Sequence, residues 1–119
     1  MPTSRKGLYF TDTPGQDVDS ITGMVAGGAQ VVVFSTGRGT PTGCPIAPVI
    51  KITGNPETFA KMEDNLDVNA GRIILGEATL EDVGEELFAR MLDVCNGAMS
   101  KAESLGHREF GIYRLAGAF

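Results

Sequence analysis

Residues 31–45 read Val31-Val32-Val33-Phe34-Ser35-Thr36-Gly37-Arg38-Gly39-Thr40-Pro41-Thr42-Gly43-Cys44-Pro45. The first four form a continuous run dominated by β-branched residues, the pattern of a strand covered on both faces in a parallel sheet. The rest is a run of small residues broken by glycines and prolines, which a helix interior does not tolerate. The strand therefore passes into a long loop. In open α/β sheets, ligands bind beyond the carboxyl ends of the strands, so this loop lies where a site belongs.

Working outward, Leu8-Tyr9-Phe10-Thr11 reads as an earlier strand, stopped by the turn Asp12-Thr13-Pro14-Gly15. Val18, Ile21 and Val25 recur at helical spacing, with Asp17 near the N-cap and Gly27-Gly28 as the end. Downstream, Val49-Ile50-Lys51-Ile52 reads as a strand. Asn55-Pro56 starts a helix, with a cap residue followed by proline, and Phe59, Met62 and Leu66 form its stripe. Arg72-Ile73-Ile74-Leu75 is a further expected strand. The longest helix is expected over 79–96, capped by Thr79 with Asp82 three residues on and Gly97 at its end. Leu80, Val83, Leu87, Met91 and Val94 line its apolar face. A short helix over 100–105 and a last strand over 110–115 close the chain. The alternation predicts a single three-layer α/β domain over residues 1–119, with a mainly parallel sheet of about five strands and helices on both faces.

With 119 residues the chain is one domain's length, and 42% hydrophobic against 21% charged residues is ordinary globular usage. The net charge is -5. Residues 1–60 hold four acids and four bases, whereas 61–119 hold eleven acids and six bases. No basic stripe exists to replace counterions on a phosphate backbone, which argues against nucleic acid as a partner. No apolar run reaches the roughly 18 residues of a membrane span, and residues 1–6 lead into no signal-type stretch. Cys44 and Cys95 stand far apart, outside any C-x-x-C pair, and His107 is the single histidine. Reduced thiols in a cytoplasmic protein are the simplest expectation, and a multi-histidine metal cage within this chain is excluded.

The loop after the 31–34 strand carries the first candidate site. Ser35 and Thr36 offer hydroxyls, Gly37 and Gly39 let backbone N–H groups approach a ligand, and Arg38 can hold a carboxylate bidentately. A plain surface turn with an exposed arginine uses the same residue types. The glycines are not a dinucleotide fingerprint, because Pro41, Pro45 and Pro48 forbid the helix that must follow. No P-loop sequence occurs. Thr13, in the turn after the first expected strand, joins the candidate substrate-binding set. Asp12, Asp17 and Asp19 could offer oxygens to a hard cation, although a helix start and a turn use them equally well. His107 has the one side chain whose ordinary pKa suits acid–base work near neutrality, and Lys101 is its companion candidate. Cys44 has no neighbouring cation or helix start to make it a nucleophile.

Several short motifs occur in a recognisable order: Asp12-Thr13-Pro14-Gly15, Ser20-Ile21-Thr22-Gly23, Gly28-Ala29-Gln30, Phe34-Ser35-Thr36-Gly37-Arg38-Gly39, Pro48-Val49-Ile50-Lys51-Ile52 with Asn55, Asp67-Val68-Asn69-Ala70-Gly71, and Lys101-Ala102-Glu103-Ser104-Leu105-Gly106 before Glu109-Phe110. Together they resemble the C-terminal domain of the altronate and galactarate dehydratase family. The resemblance implies a larger, metal-dependent hydro-lyase whose N-terminal and central domains are partners of this one. It implies loss of water from a sugar acid to give a 2-keto-3-deoxy acid, with a divalent cation, typically iron, in the full enzyme. It also makes Arg38, with Thr36 and the backbone of residues 37–39, a carboxylate clamp, and His107 or Lys101 an acid–base group. Most metal ligands would come from the other domains, the isolated chain is expected to be inactive, and a homo-oligomer contact is a further expectation. The alternative is a non-catalytic flavodoxin-like module that binds a small anion or a protein partner.

Overall fold

The computed structural model describes residues 6–112. Its elements, in chain order, are α1 (Asp17–Ala26), β1 (Val32–Ser35), β2 (Val49–Thr53), α2 (Pro56–Lys61), β3 (Val68–Asn69), α3 (Gly71–Ile74), α4 (Leu80–Cys95) and α5 (Lys101–Ser104). Among the described residues the sheet has three parallel strands in the order β1-β2-β3. Val32 pairs with Val49 and Ile52 with Val68. The α/β class and parallel pairing match the sequence pattern; a sheet of about five strands does not.

Three expected strands do not form among the described residues, and β3 stands where the sequence pattern shows no strand. Residues 8–11 form no strand, and Leu8 and Phe10 are almost wholly exposed. Residues 72–75 are helical rather than extended. The Asn69 Oδ1 accepts the Gly71 N–H at 3.0 Å and turns the chain into α3, while Ile74 and Leu75 stay exposed. A four-residue apolar run carries too little periodicity to separate a strand from a helical turn. Residues 110–112 form no strand either; the Gly111 N–H goes to the Thr22 hydroxyl at 2.9 Å, which replaces a ladder bond. Residues 113–115 of that expected strand lie outside the described residues.

The other elements follow local chemistry. In α2, Asn55 Oδ1 accepts the N–H groups of Glu57 and Thr58 at 3.0 and 3.2 Å, and Pro56 occupies the first turn. Thr79 and Asp82 form a reciprocal capping box on α4, and Gly97, with φ of 101°, follows its end. The Thr79 N–H on its carboxylate holds the Asp82 pKa below the ordinary range. Val83 and Val94 are buried, Leu87 and Met91 are partly covered, and Leu80 is 70% exposed, so the buried stripe of α4 starts one turn later than its sequence suggests. At α1 the N-cap is Gln16, without a side-chain cap, and Asp17 is the first helical residue. Ile21, Val32, Cys44, Ala47 and Val49 make one buried cluster, with Phe34 packed against it. Cys44 is thus a core side chain. No helix among the described residues is long and apolar enough to cross a membrane.

Candidate functional site

Residues 36–48 leave β1 at its carboxyl end and return to β2. The Thr36 N–H continues the ladder to the Ile52 carbonyl at 3.1 Å, after which the chain leaves the sheet. Three side chains from elsewhere then hold it. The Thr58 hydroxyl donates to the Gly37 carbonyl at 3.0 Å, Lys51 Nζ donates to the Pro41 carbonyl at 2.9 Å, and Glu109 Oε2 accepts the Gly43 N–H at 2.8 Å. Thr40 and Thr42 are buried with their hydroxyls 2.8 Å apart.

Two glycines are required by these close approaches. Gly39 has φ of 76°, and a Cβ there would stand 2.4 Å from Met62 Sδ. A Cβ on Gly43 would stand 2.4 Å from the His107 carbonyl oxygen. The loop is therefore pressed against α2 at one end and against the His107 backbone at the other.

Between these ties, Ser35, Gly37 and Arg38 are exposed, and Arg38 makes no hydrogen bond or ion pair with any described residue. An unengaged guanidinium beyond a strand's carboxyl end offers a planar pair of donors to a carboxylate. His107 is partly buried, with Nδ1 3.2 Å from Glu109 Oε1. Partial burial alone would raise the Glu109 pKa. Its bonds to the Gly43 N–H, its own backbone N–H and His107 outweigh that and hold it below the ordinary range. Glu109 thereby joins His107 to the far end of the Arg38 loop.

The remaining candidates stand elsewhere. Lys101 Nζ donates to the Glu63 carbonyl at 2.5 Å and lies 5.6 Å from the centre of the Phe59 ring. Thr13 makes its contacts with α1, sharing a hydrogen bond with the Ser20 hydroxyl at 2.9 Å and packing on Gly23. Among the described residues no three His, Cys, Asp or Glu side chains gather as a metal-ligand group, Asp12, Asp17 and Asp19 included. Among the described residues, then, the donor set supplies no three-ligand site for a divalent cation. A cavity of about 310 Å³ beside Val25, Ile46 and Phe110 is almost wholly apolar, and the one hydroxyl in its lining, that of Thr22, already donates to the Val18 carbonyl at 2.7 Å.

Sequence reasoning passed over Lys51, Asp67 and Glu109. Lys51 carried a visible signal, a charge inside the apolar run 49–52. It is 0% exposed, and burial lowers its pKa against the opposing pull of Asp67 and Glu109. Asp67 carries none, because its partners lie 16 to 34 residues away; Glu109 stands two residues from His107, a spacing visible in the sequence, but its bond to the Gly43 N–H spans 66 residues.

A profile described as "D-galactarate/Altronate dehydratase, C-terminal" matches residues 1–117. The chain belongs to this family. It is 47% identical over 96 residues to galactarate dehydratase (L-threo-forming) of Escherichia coli, covering 81% of this chain and 18% of that enzyme. It is 34% identical over 108 residues to the E. coli altronate dehydratase, covering 91% of this chain and 21% of the relative. It is also 38% identical over 109 residues to the (2R)-sulfolactate sulfo-lyase subunit beta of Chromohalobacter salexigens, covering 92% and 28%. The chain thus spans between 18% and 28% of the length of these relatives. The matched region makes the Arg38 loop part of the C-terminal domain of this family.

Proposed function

We propose that this chain is the part of a sugar-acid dehydratase that binds the substrate carboxylate, with the complete enzyme carrying out the reaction. The observation that carries the reading is Arg38: an exposed guanidinium, unengaged by any described residue, on a loop tied down at Gly37, Pro41 and Gly43. The names of the relatives support it. Galactarate, altronate and sulfolactate are all acids whose carboxylate adjoins a hydroxyl-bearing carbon. A clamp for that shared group suits all three, whatever leaves from the next carbon.

Elimination next to a carboxylate removes a weakly acidic α-proton and builds negative charge on the carboxylate oxygens. Arg38, with the Thr36 hydroxyl and the N–H groups of Gly37 and Gly39, would meet that charge. With His107 Nδ1 turned to Glu109, Nε2 is the ring atom that would take up a proton. Lys101 is the weaker acid–base candidate, since its ammonium is already engaged by the Glu63 carbonyl. Any divalent cation in the complete enzyme would take most of its ligands from outside the described residues, and no step here is routed through one. The product expected of the dehydration is a 2-keto-3-deoxy acid.

The test is Arg38→Lys in the complete enzyme. Lysine keeps the charge and loses the planar fork, so kcat/KM for galactarate or altronate should fall at least ~10-fold, about 1.4 kcal/mol of transition-state binding. The melting temperature should stay put, because an exposed loop arginine adds little to the fold. Wild-type kinetics would remove Arg38 from the site.

A further inference from the structure

We propose that Lys51 is a positioning residue: from inside β2 its ammonium holds the loop that presents Arg38, and carboxylate affinity depends on that tie. The inference rests on the carboxylate-binding reading of Arg38.

Lysine is almost never fully buried unless its charge is compensated. Lys51 is 0% exposed in the middle of the central strand, where valine or isoleucine would pack without a desolvation cost. Its compensation is incomplete. Asp67 and Glu109 lend it a favourable field, but among the described residues neither forms an ion pair with Nζ. The group that its ammonium touches is the Pro41 carbonyl, at 2.9 Å.

That carbonyl is well placed as a handle. Pro41 lies three residues beyond Arg38, between the buried and mutually hydrogen-bonded Thr40 and Thr42. On the other side of Arg38, the Gly37 carbonyl is held by Thr58. The guanidinium is thus carried on a short span fixed at both ends. The Thr58 tie is at the solvent-exposed rim, where water competes, whereas the Lys51 tie is charge-assisted and starts from the core. Lys51 cannot itself meet a ligand in this arrangement, because it is enclosed and its Nζ is engaged. Its effect on binding runs through the loop.

The experiment uses Lys51→Met, which keeps the length of the side chain and removes the ammonium, and Lys51→Gln as a second variant, both in the complete enzyme. Galactarate and altronate are the probe acids, and amide hydrogen exchange is followed over residues 36–48. The expected result is exchange at least ~10-fold faster within residues 37–43, with the β2 amides unchanged. KM should rise at least ~10-fold while kcat stays within about twofold. A residue that merely supports the fold would loosen β2 as a whole and would not separate KM from kcat. Native exchange across residues 37–43 in a folded variant overturns the proposal, as does failure of both variants to fold, which would make Lys51 part of the core. Faster loop exchange with an unchanged KM would uphold the tie and overturn the carboxylate reading of the loop instead.

Discussion

Asp67 and Lys51 form a closed pair between β3 and β2. The Asp67 N–H donates to the Lys51 carbonyl at 2.8 Å, and the Lys51 N–H donates to Asp67 Oδ2 at 2.9 Å. A side chain thereby lengthens a strand that is only two residues long. The other oxygen, Oδ1, accepts the Lys101 N–H at 3.0 Å and Arg90 Nη2 at 3.2 Å, so one carboxylate joins β2, α4 and α5. Its side chain is fully enclosed.

Asp67→Ala should accordingly cost more than an ordinary core truncation. It strands the backbone N–H groups of Lys51 and Lys101 at their enclosed ends and leaves Arg90 with the Met99 carbonyl but no carboxylate. The expected loss is about 3–5 kcal/mol, read from urea unfolding midpoints. A loss below about 1 kcal/mol would show that water replaces the carboxylate freely.

The burial of α4 separates two substitutions that the apolar pattern treats alike. Val83→Ala should cost about 2 kcal/mol through lost burial and a residual cavity. Leu80→Ala, one turn earlier and 70% exposed, should change stability by less than ~0.5 kcal/mol. Equal costs in thermal unfolding would mean that the helix face is set differently.

Lys51 should give stability an alkaline slope. Its folded pKa lies below 10.5, mainly because burial disfavours the charged form. Between the folded value and 10.5 the unfolded chain therefore binds more protons, and stability from this group rises with pH through that window. Glu109 acts at the acid end: its folded pKa lies below 4.5, so its contribution is present above that value and is lost as pH falls through the folded one. Unfolding free energies of wild type and Lys51→Met, compared from neutral pH to about pH 10, should diverge in favour of wild type. A constant difference would mean that the folded ammonium is as well solvated as the free one.

The parts of this molecule that were legible in its sequence are those decided by near neighbours. The Asn55-Pro56 start of α2, the Thr79–Asp82 box and the β-branched run of β1 each depend on residues within a few positions. Residues 72–75 were misread because Asn69, three positions upstream, turns the chain before their apolar side chains can act as a strand. The candidate loop is legible in the same way. Arg38 and its glycines stand together in the sequence, so the loop could be found. Its three ties come from Lys51, Thr58 and Glu109, and Glu109 lies 66 residues from the Gly43 amide that it binds. Pattern and spacing hold no record of such pairs, apart from the odd charge among the apolar residues of β2.

The parallel register of Val32 with Val49 also bears on how the chain reaches this state. Parallel neighbours cannot be joined by a tight hairpin, so β1 and β2 meet only after the whole of 36–48 has closed as a loop. The segment that presents Arg38 is thus the closure on which the first strand pair depends. Substitutions that loosen it in the native state should slow refolding as well as speed opening, a dependence that stopped-flow refolding of the Lys51 and Glu109 variants would measure. On the proposed reading, one segment would then both orient a carboxylate in the finished molecule and set the pace at which that molecule forms.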